Sequence, residues 1–276
     1  MDAESIAARV WPGRRLELEP LGGGITNHNF KVAVDGAAFV LRIPGADTEL
    51  LGIDRRAEHA AAQVAAELGV GPEVVDFLEG SLVTRFVEGR PVPVEEMRAP
   101  EVLRETARLL RRIHEGPAFP ARFDAFRVVE IYRRRAEKHG VRIPDAYEAA
   151  KARADEIEQT LGRQTERPCH NDLLNANFIR SPDGIRIVDW EYAGMGDRFF
   201  DLANFSVNHE LSEDETNLLL DAYFGELRDD DREHLRAMRF MSDFREAMWG
   251  VLQQGISKLD FDYVDYANRH FARALA

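Results

Sequence analysis

Three short stretches near the start of the chain, 15–19, 28–34 and 39–43, read as strands, the first with strict polar and apolar alternation and the last as a mostly apolar run. Gly22-Gly23-Gly24 falls in the first connection and Asp35-Gly36, a hairpin signal, in the second, so the spacing predicts a small antiparallel sheet. Residues 54–68 (DRRAEHAAAQVAAEL) are rich in alanine, open on an acidic residue suited to an N-cap and close at Gly69, which predicts a helix. Further strands are expected over 73–78 and 81–87. The period changes after Glu88-Gly89-Arg90-Pro91-Val92-Pro93, a segment that breaks regular structure. Helices are expected beyond it over 101–115, 128–139, 145–161, 213–224, 231–259 and 263–275, with Gly250 and Gly255 counting against the fifth as one continuous piece. In their midst, 178–180 and 185–188, joined by Ser181-Pro182-Asp183-Gly184, read as a short hairpin. The pattern predicts an α+β chain with a small β-rich N-terminal lobe, 1–88, and a larger, mostly helical C-terminal lobe, 89–276. No internal repeat is visible.

The 276 residues suffice for one large domain or two unequal lobes. With 45% hydrophobic and 31% charged residues, the balance is globular and excludes disorder or repetitive assembly. Charge narrows the partners. Lys and Arg number 36 against 49 Asp and Glu, a formal net charge of −13, which disfavours nucleic acid and anionic membranes and suits a cationic small ligand. Cys169 is the single cysteine, so no internal disulfide forms and a reducing compartment, the cytoplasm, is expected. No apolar run reaches the roughly 20 residues that span a bilayer, and Asp2 and Glu4 stand where a targeting signal carries basic residues. The oligomeric state is left open.

Three clusters carry candidate chemistry. The turn Leu21-Gly-Gly-Gly-Ile-Thr-Asn27 lets backbone N–H groups approach phosphate oxygens, although it is neither a P-loop nor a dinucleotide fingerprint and also reads as a plain hairpin turn. In Cys169-His-Asn-Asp-Leu-Leu-Asn-Ala-Asn-Phe-Ile179, Asp172 and Asn177 stand five apart in a loop that runs into the hairpin, and Asp189 leaves the hairpin's far end. Phosphoryl transfer needs such a set: a carboxylate to accept a hydroxyl proton, and hard oxygen ligands for Mg²⁺. Taken singly, each of these residues also reads as a turn former or a cap; jointly they point to chemistry. Cys169-His170 lacks any thiol-protease signature. His170 is expected to brace the loop, and His114 to pack at a helix end.

The order of the Gly-rich turn, Phe39-Val-Leu-Arg-Ile43, Glu58 in the Ala-rich helix, His170-Asn-Asp-Leu-Leu-Asn-Ala-Asn177, Asp189-Trp-Glu-Tyr192 and Phe200-Asp-Leu-Ala-Asn204 resembles the choline/ethanolamine kinase branch of the aminoglycoside-phosphotransferase-like kinases, nearly end to end. Protein kinases have Asp-Phe-Gly where this chain has Asp-Trp-Glu, which favours a small-molecule kinase. The resemblance implies a two-lobed protein-kinase-like fold and Mg·ATP-dependent phosphorylation of a small hydroxyl compound, choline first. It implies Asp172 as the catalytic base, Asn177 and Asp189 as Mg²⁺ ligands, and Glu191 as an aid to the metal. Arg42 is expected on the ATP phosphates and paired with Glu58. Gly23, Gly24, Thr26 and Asn27 are expected over the phosphates, and backbone groups of Thr84, Arg85, Phe86 and Val87 at adenine. Asp201 is expected to support the catalytic loop without touching substrate.

The stretch 249–266 is similar to the choline-binding end of that family, which makes Trp249, Tyr266 and Tyr192, together with Asp172, the expected acceptor site. An ammonium over an aromatic face gains about 0.5 to 2 kcal/mol, although such aromatics alone read as helix core. One departure stands out. The family's choline kinases often place a second tryptophan three residues before the one matching Trp249, and here that position is Glu246. Glu246 either pairs with the cation directly or marks a primary amine such as ethanolamine, or another substrate. Ethanolamine, an aminoglycoside and other amino alcohols therefore stay open as acceptors. An ATP-binding regulator without turnover is the reading from another class, against which the intact Asp172, Asn177 and Asp189 set speaks.

Overall fold

The computed structural model describes residues 2–22, 27–45 and 48–276. In chain order the elements are helix α1 (Ala3–Val10), strands β1 (Leu16–Leu21), β2 (Asn27–Val34) and β3 (Ala37–Pro44), helix α2 (Arg55–Glu67), and strands β4 (Val74–Leu78), β5 (Ser81–Arg85) and β6 (Arg90–Pro91). There follow helices α3 (Pro100–His114), α4 (Ala125–Lys138) and α5 (Ala146–Leu161), strands β7 (Arg167–Cys169), β8 (Phe178–Ser181), β9 (Gly184–Ile187) and β10 (Gly194–Gly196), and helices α6 (Arg198–Asn208), α7 (Glu213–Phe224), α8 (Asp229–Ile256) and α9 (Tyr263–Leu275).

The chain divides into two compact units, residues 1–92 with 176–192, and residues 93–175 with 193–276. The first unit is an antiparallel five-stranded sheet in the order β1-β2-β3-β5-β4. Ile6 and Ala7 of α1 pack with Val32, Val34, Phe39, Leu41 and Val83 of the sheet. The carboxylate of Asp54 accepts from the N–H groups of Arg56 and Ala57 and so starts α2, whose buried face is Ala57, Ala61, Ala62 and Ala65 with one charged member, Glu58. The hairpin β8–β9, far along the sequence, belongs to this unit. It is extended by β6 and tied in by Ile187 N–H donating to the Val70 carbonyl at 2.9 Å. Gly89 makes the β6 crossing possible, since a Cβ there would lie 2.2 Å from the Arg180 carbonyl oxygen.

The second unit is helical apart from the two-stranded β7–β10 ribbon. Its centre is α6, of which nine consecutive residues from Phe199 to Val207 are buried. Neither α6 nor α1 is marked by the hydrophobic pattern. A helix buried on all sides has no polar face to set the 3.6-residue period, and α1 is only eight residues long. Helix α8 runs unbroken through Gly250 and Gly255 because both glycines serve packing. A Cβ at 250 would meet Tyr266 Cδ1 at 2.9 Å, and one at 255 would meet Val141 Cγ2 at 2.7 Å. Among the described residues, no helix is long and apolar enough to cross a membrane.

Candidate active site

In the first unit a lattice of charge surrounds the exit of the hairpin. Arg42 Nη1, from β3, lies 2.7 Å from Glu58 Oε1 and 2.6 Å from Asp189 Oδ1. Arg55 Nη1, one turn before Glu58 on α2, lies 2.7 Å from Glu58 Oε2 and 3.1 Å from Glu191 Oε2. Glu58 is the keystone: each of its oxygens faces a different arginine, and each arginine leads on to one carboxylate of Asp189-Trp190-Glu191. Asn27 closes a triangle, accepting at Oδ1 from Arg55 Nη2 (2.8 Å) and donating from Nδ2 to Glu191 Oε2 (2.7 Å). Burial, and then the neighbouring Asp189, push the Glu191 carboxyl above the usual carboxylate range, with Arg42 and Asn27 pulling it back. Burial opposes the charge on Arg42, but Asp189, Glu58 and Glu191 more than offset that and raise its pKa.

The hairpin register, Phe178 opposite Ile187, sets Asn177 beside Val188, whose N–H donates to the Asn177 carbonyl at 2.9 Å. Asn177 and Asp189 thus flank the same end of one ladder. Asp189 is held at φ +70°, a left-handed conformation that costs most residues about 1 kcal/mol and that aspartate tolerates better than most. Its Oδ1 is charge-paired with Arg42 yet makes no aligned hydrogen bond. A buried carboxylate oxygen in that condition, with Glu191 close enough to feel its charge and Asn177 at the same end of the ladder, belongs to a group of oxygen-bearing residues of the type hard divalent cations take. A cavity of about 320 Å³ is lined by the apolar side chains of Val40, Ala62, Leu82 and Val188 and by two members of the lattice, Arg42 and Asp189. Thr84, Arg85, Phe86 and Val87 line it. The N–H groups of Arg85 and Phe86 donate to the carbonyls of Glu73 and Ala38. Gly23, Gly24 and Thr26 lie outside the described residues.

In the second unit the loop bearing Asp172 is pinned by α6. Asp201 accepts from the N–H groups of His170 (Oδ2, 2.8 Å) and Asn171 (Oδ1, 2.7 Å). Asn204 Oδ1 accepts from Leu173 N–H at 2.6 Å, and Asn208 Nδ2 donates to the Leu173 carbonyl at 3.4 Å. Residues 201, 204 and 208 share one helical face, so a single helix grips four backbone groups on the residues that flank Asp172. His170, fully buried, accepts the Asp172 N–H at Nδ1 (3.2 Å) and braces the turn as expected, while Asn171 takes a left-handed φ of +68°. Burial works most strongly against the Asp201 charge, but the His114 hydrogen bond at 2.9 Å, the His114 and His170 charges and the His170 amide together hold the carboxyl below its usual range. His114 also meets Tyr223 OH at 2.7 Å. Cys169 completes a close trio with His114 and Asp201. Burial pushes its thiol well above the ordinary range, and the hydrogen bonds already engaging His114 and Asp201 make this a structural cluster.

The expected acceptor residues separate. Asp172, Glu246, Trp249 and Tyr266 belong to the second unit and Tyr192 to the first. Glu246 and Trp249 lie on α8 and Tyr266 on α9, with the Trp249 and Tyr266 rings 5.6 Å apart at 65°. Three neighbours went unmarked in the sequence. Arg55 sits in an Arg-Arg pair at a helix start, where a solvated role is the usual one; Arg245 is one of several charged residues of α8; and Tyr263 packs edge-on against Trp249 at 5.8 Å. For Arg245 the signal was a charge in a stretch otherwise buried throughout, residues 240–253.

Comparison with known proteins places the chain. The description "Phosphotransferase enzyme family" matches residues 17–240. Protein LicA of Haemophilus influenzae is 29% identical over 211 residues, covering 73% of this chain and 61% of its own length. A choline/ethanolamine kinase family protein from Mesorhizobium loti superposes with a TM-score of 0.84 at 31% identity, covering 99% of this chain and 92% of that one. The choline kinase LicA of Streptococcus pneumoniae shares the fold, with a TM-score of 0.83 at 24% identity over 99% and 97% of the two chains. The sheet with its charged α2 and the loop gripped by a buried helix are thus a protein-kinase-like fold, and the chain belongs to the phosphotransferase enzyme family, among the choline/ethanolamine kinases.

Proposed function

We propose that this chain transfers the terminal phosphoryl group of Mg·ATP to the hydroxyl of a small amino alcohol, choline before others. The observation that carries the reading is the cavity of the first unit, lined both by apolar side chains and by Arg42 and Asp189. A flat base suits such walls, and a guanidinium beside a carboxylate suits phosphates and their metal. Asp189, Asn177 and Glu191 would hold Mg²⁺, which supplies charge neutralisation on the phosphates. Arg42 is held by Glu58 in place to meet phosphate oxygens. Because the Arg85 and Phe86 amides are engaged in the sheet, adenine is met there by carbonyl oxygens and by the residues that follow. Asp172 accepts the acceptor's hydroxyl proton, and its loop is fixed beforehand by α6, so that no reorganisation is needed as charge develops. Trp249 and Tyr266 offer aromatic faces to the acceptor's cation. Relatives named as choline kinases support the choice of acceptor.

ATP consumption measured against choline, ethanolamine, aminoglycosides and hydroxyl amino acids tests the reading. Choline should give the highest kcat/KM. Consumption with none of the amino alcohols would reject the proposal.

A further inference from the structure

Two acidic groups stand among the acceptor residues of the second unit, Asp172 and Glu246, and one buried cation lies against both. Arg245 Nη1 contacts Glu246 Oε1 and lies 3.7 Å from Asp172 Oδ1. Arg245 is 1% and Glu246 5% exposed, so neither charge is shared with bulk water. The second oxygen of Glu246, Oε2, accepts from Tyr266 OH at 2.8 Å. Both oxygens of the carboxylate that replaces an expected tryptophan are therefore engaged by this chain's own donors.

Candidate acceptors differ in hydrogen bonding more than in charge. A primary ammonium carries three N–H donors that need acceptors once it leaves water, whereas a trimethylammonium carries none. Each buried donor left unmet carries a desolvation penalty. A carboxylate clamped between a guanidinium and a phenol contributes charge, but one lone pair on each oxygen is already committed and its orientation is fixed by those donors. Together Asp172, Arg245 and Glu246 carry one net negative charge, enough to balance a single cation. The rings of Trp249 and Tyr266 provide the faces that a methylated cation uses.

We infer that Arg245 and Tyr266 form a specificity device: by holding both oxygens of Glu246 they withhold it from a primary ammonium and select methylated amino alcohols. The inference rests on the amino-alcohol reading above and goes beyond it by naming what discriminates between acceptors. The readout is the ratio of kcat/KM for ethanolamine to kcat/KM for choline, measured on the full chain by ATP consumption. Tyr266→Phe keeps the ring and removes only the hydroxyl, freeing one carboxylate oxygen, and should raise the ratio about fivefold or more. Arg245→Met frees the other oxygen and should raise it as well; if that variant does not fold, Tyr266→Phe decides alone. Glu246→Gln should lower both acceptors together and move the ratio by less than about threefold. An unmoved ratio in Tyr266→Phe overturns the inference. So does a Glu246→Gln variant that loses ethanolamine turnover about tenfold more than choline turnover, because the carboxylate then meets the ammonium itself. A wild type active on choline with an unmoved ratio removes this inference alone, whereas a wild type inactive on both amino alcohols removes the reading beneath it too.

Discussion

Around Asp189 the first unit sets charge against charge, two arginines shared among three carboxylates, while around Asp172 the second unit sets amide hydrogens against a buried helix face. The two arrangements respond differently to a ligand. An anion can take Arg42 from Asp189 and a cation can take Asp189 from Arg42, each exchange replacing one charged partner by another. The amides at 170, 171 and 173 have no such substitute, since releasing them leaves buried donors unmet. The first arrangement suits groups that must change partners as substrate binds, and the second suits a group that must not move.

The largest expected effect tests the exchangeable side. Asp189→Ala should abolish turnover, a loss of about 10³-fold or more, and should remove the Mg²⁺ dependence of nucleotide affinity in a binding titration. Wild-type Mg·ATP affinity in this variant would move the metal elsewhere. On the fixed side, Asp172→Asn keeps the size and removes the proton acceptor, so kcat should fall about 10² to 10⁴-fold with nucleotide affinity little changed. Full turnover would withdraw its role as base.

Asp201→Asn probes the anchoring itself. Losing the charge that receives two amides should cost about 1.5 to 3 kcal/mol of stability, read from denaturant midpoints at neutral pH. The sign of the pH dependence follows from the lowered carboxyl. The extra stability of wild type is present above the ordinary carboxylate value of 3.8 and fades as pH falls through the lower native value. The two proteins should converge in acid, and a constant difference would mean that the charge is not what holds the loop. The smallest effect is expected at Arg55→Met, about tenfold in kcat/KM for ATP, or 1.4 kcal/mol. Because Glu58 joins the two arginines, Arg42→Met and Arg55→Met should be non-additive in a double-mutant cycle. Strict additivity would break the picture of one lattice.

Much of the first unit was legible because its signals are local. Asp35-Gly36 turns a hairpin, Asp54 caps an Ala-rich helix, and the spacing of Asp172, Asn177 and Asp189 frames the second hairpin. What escaped was set by tertiary burial. Helix α6 is buried on every side, and Asp201, Asn204 and Asn208 read as ordinary helix residues until the loop they grip is present. The sequence shows Glu246 only as a charge where a tryptophan often stands, and its engagement by Arg245 and Tyr266 is visible only in the fold. Arg55 was hidden by its ordinary position in a first turn, although its contacts span residues from 27 to 191.

The single thiol also offers a way to time the protein's openings. Cys169 is fully buried, directly precedes the anchored turn and has its pKa raised by its surroundings, so an alkylating reagent reaches it only when that region comes apart. The rate of labelling therefore reports how often the grip of α6 lapses, with no probe introduced. A ligand that tightens the second unit should slow that clock, and one that leaves it unaffected should not.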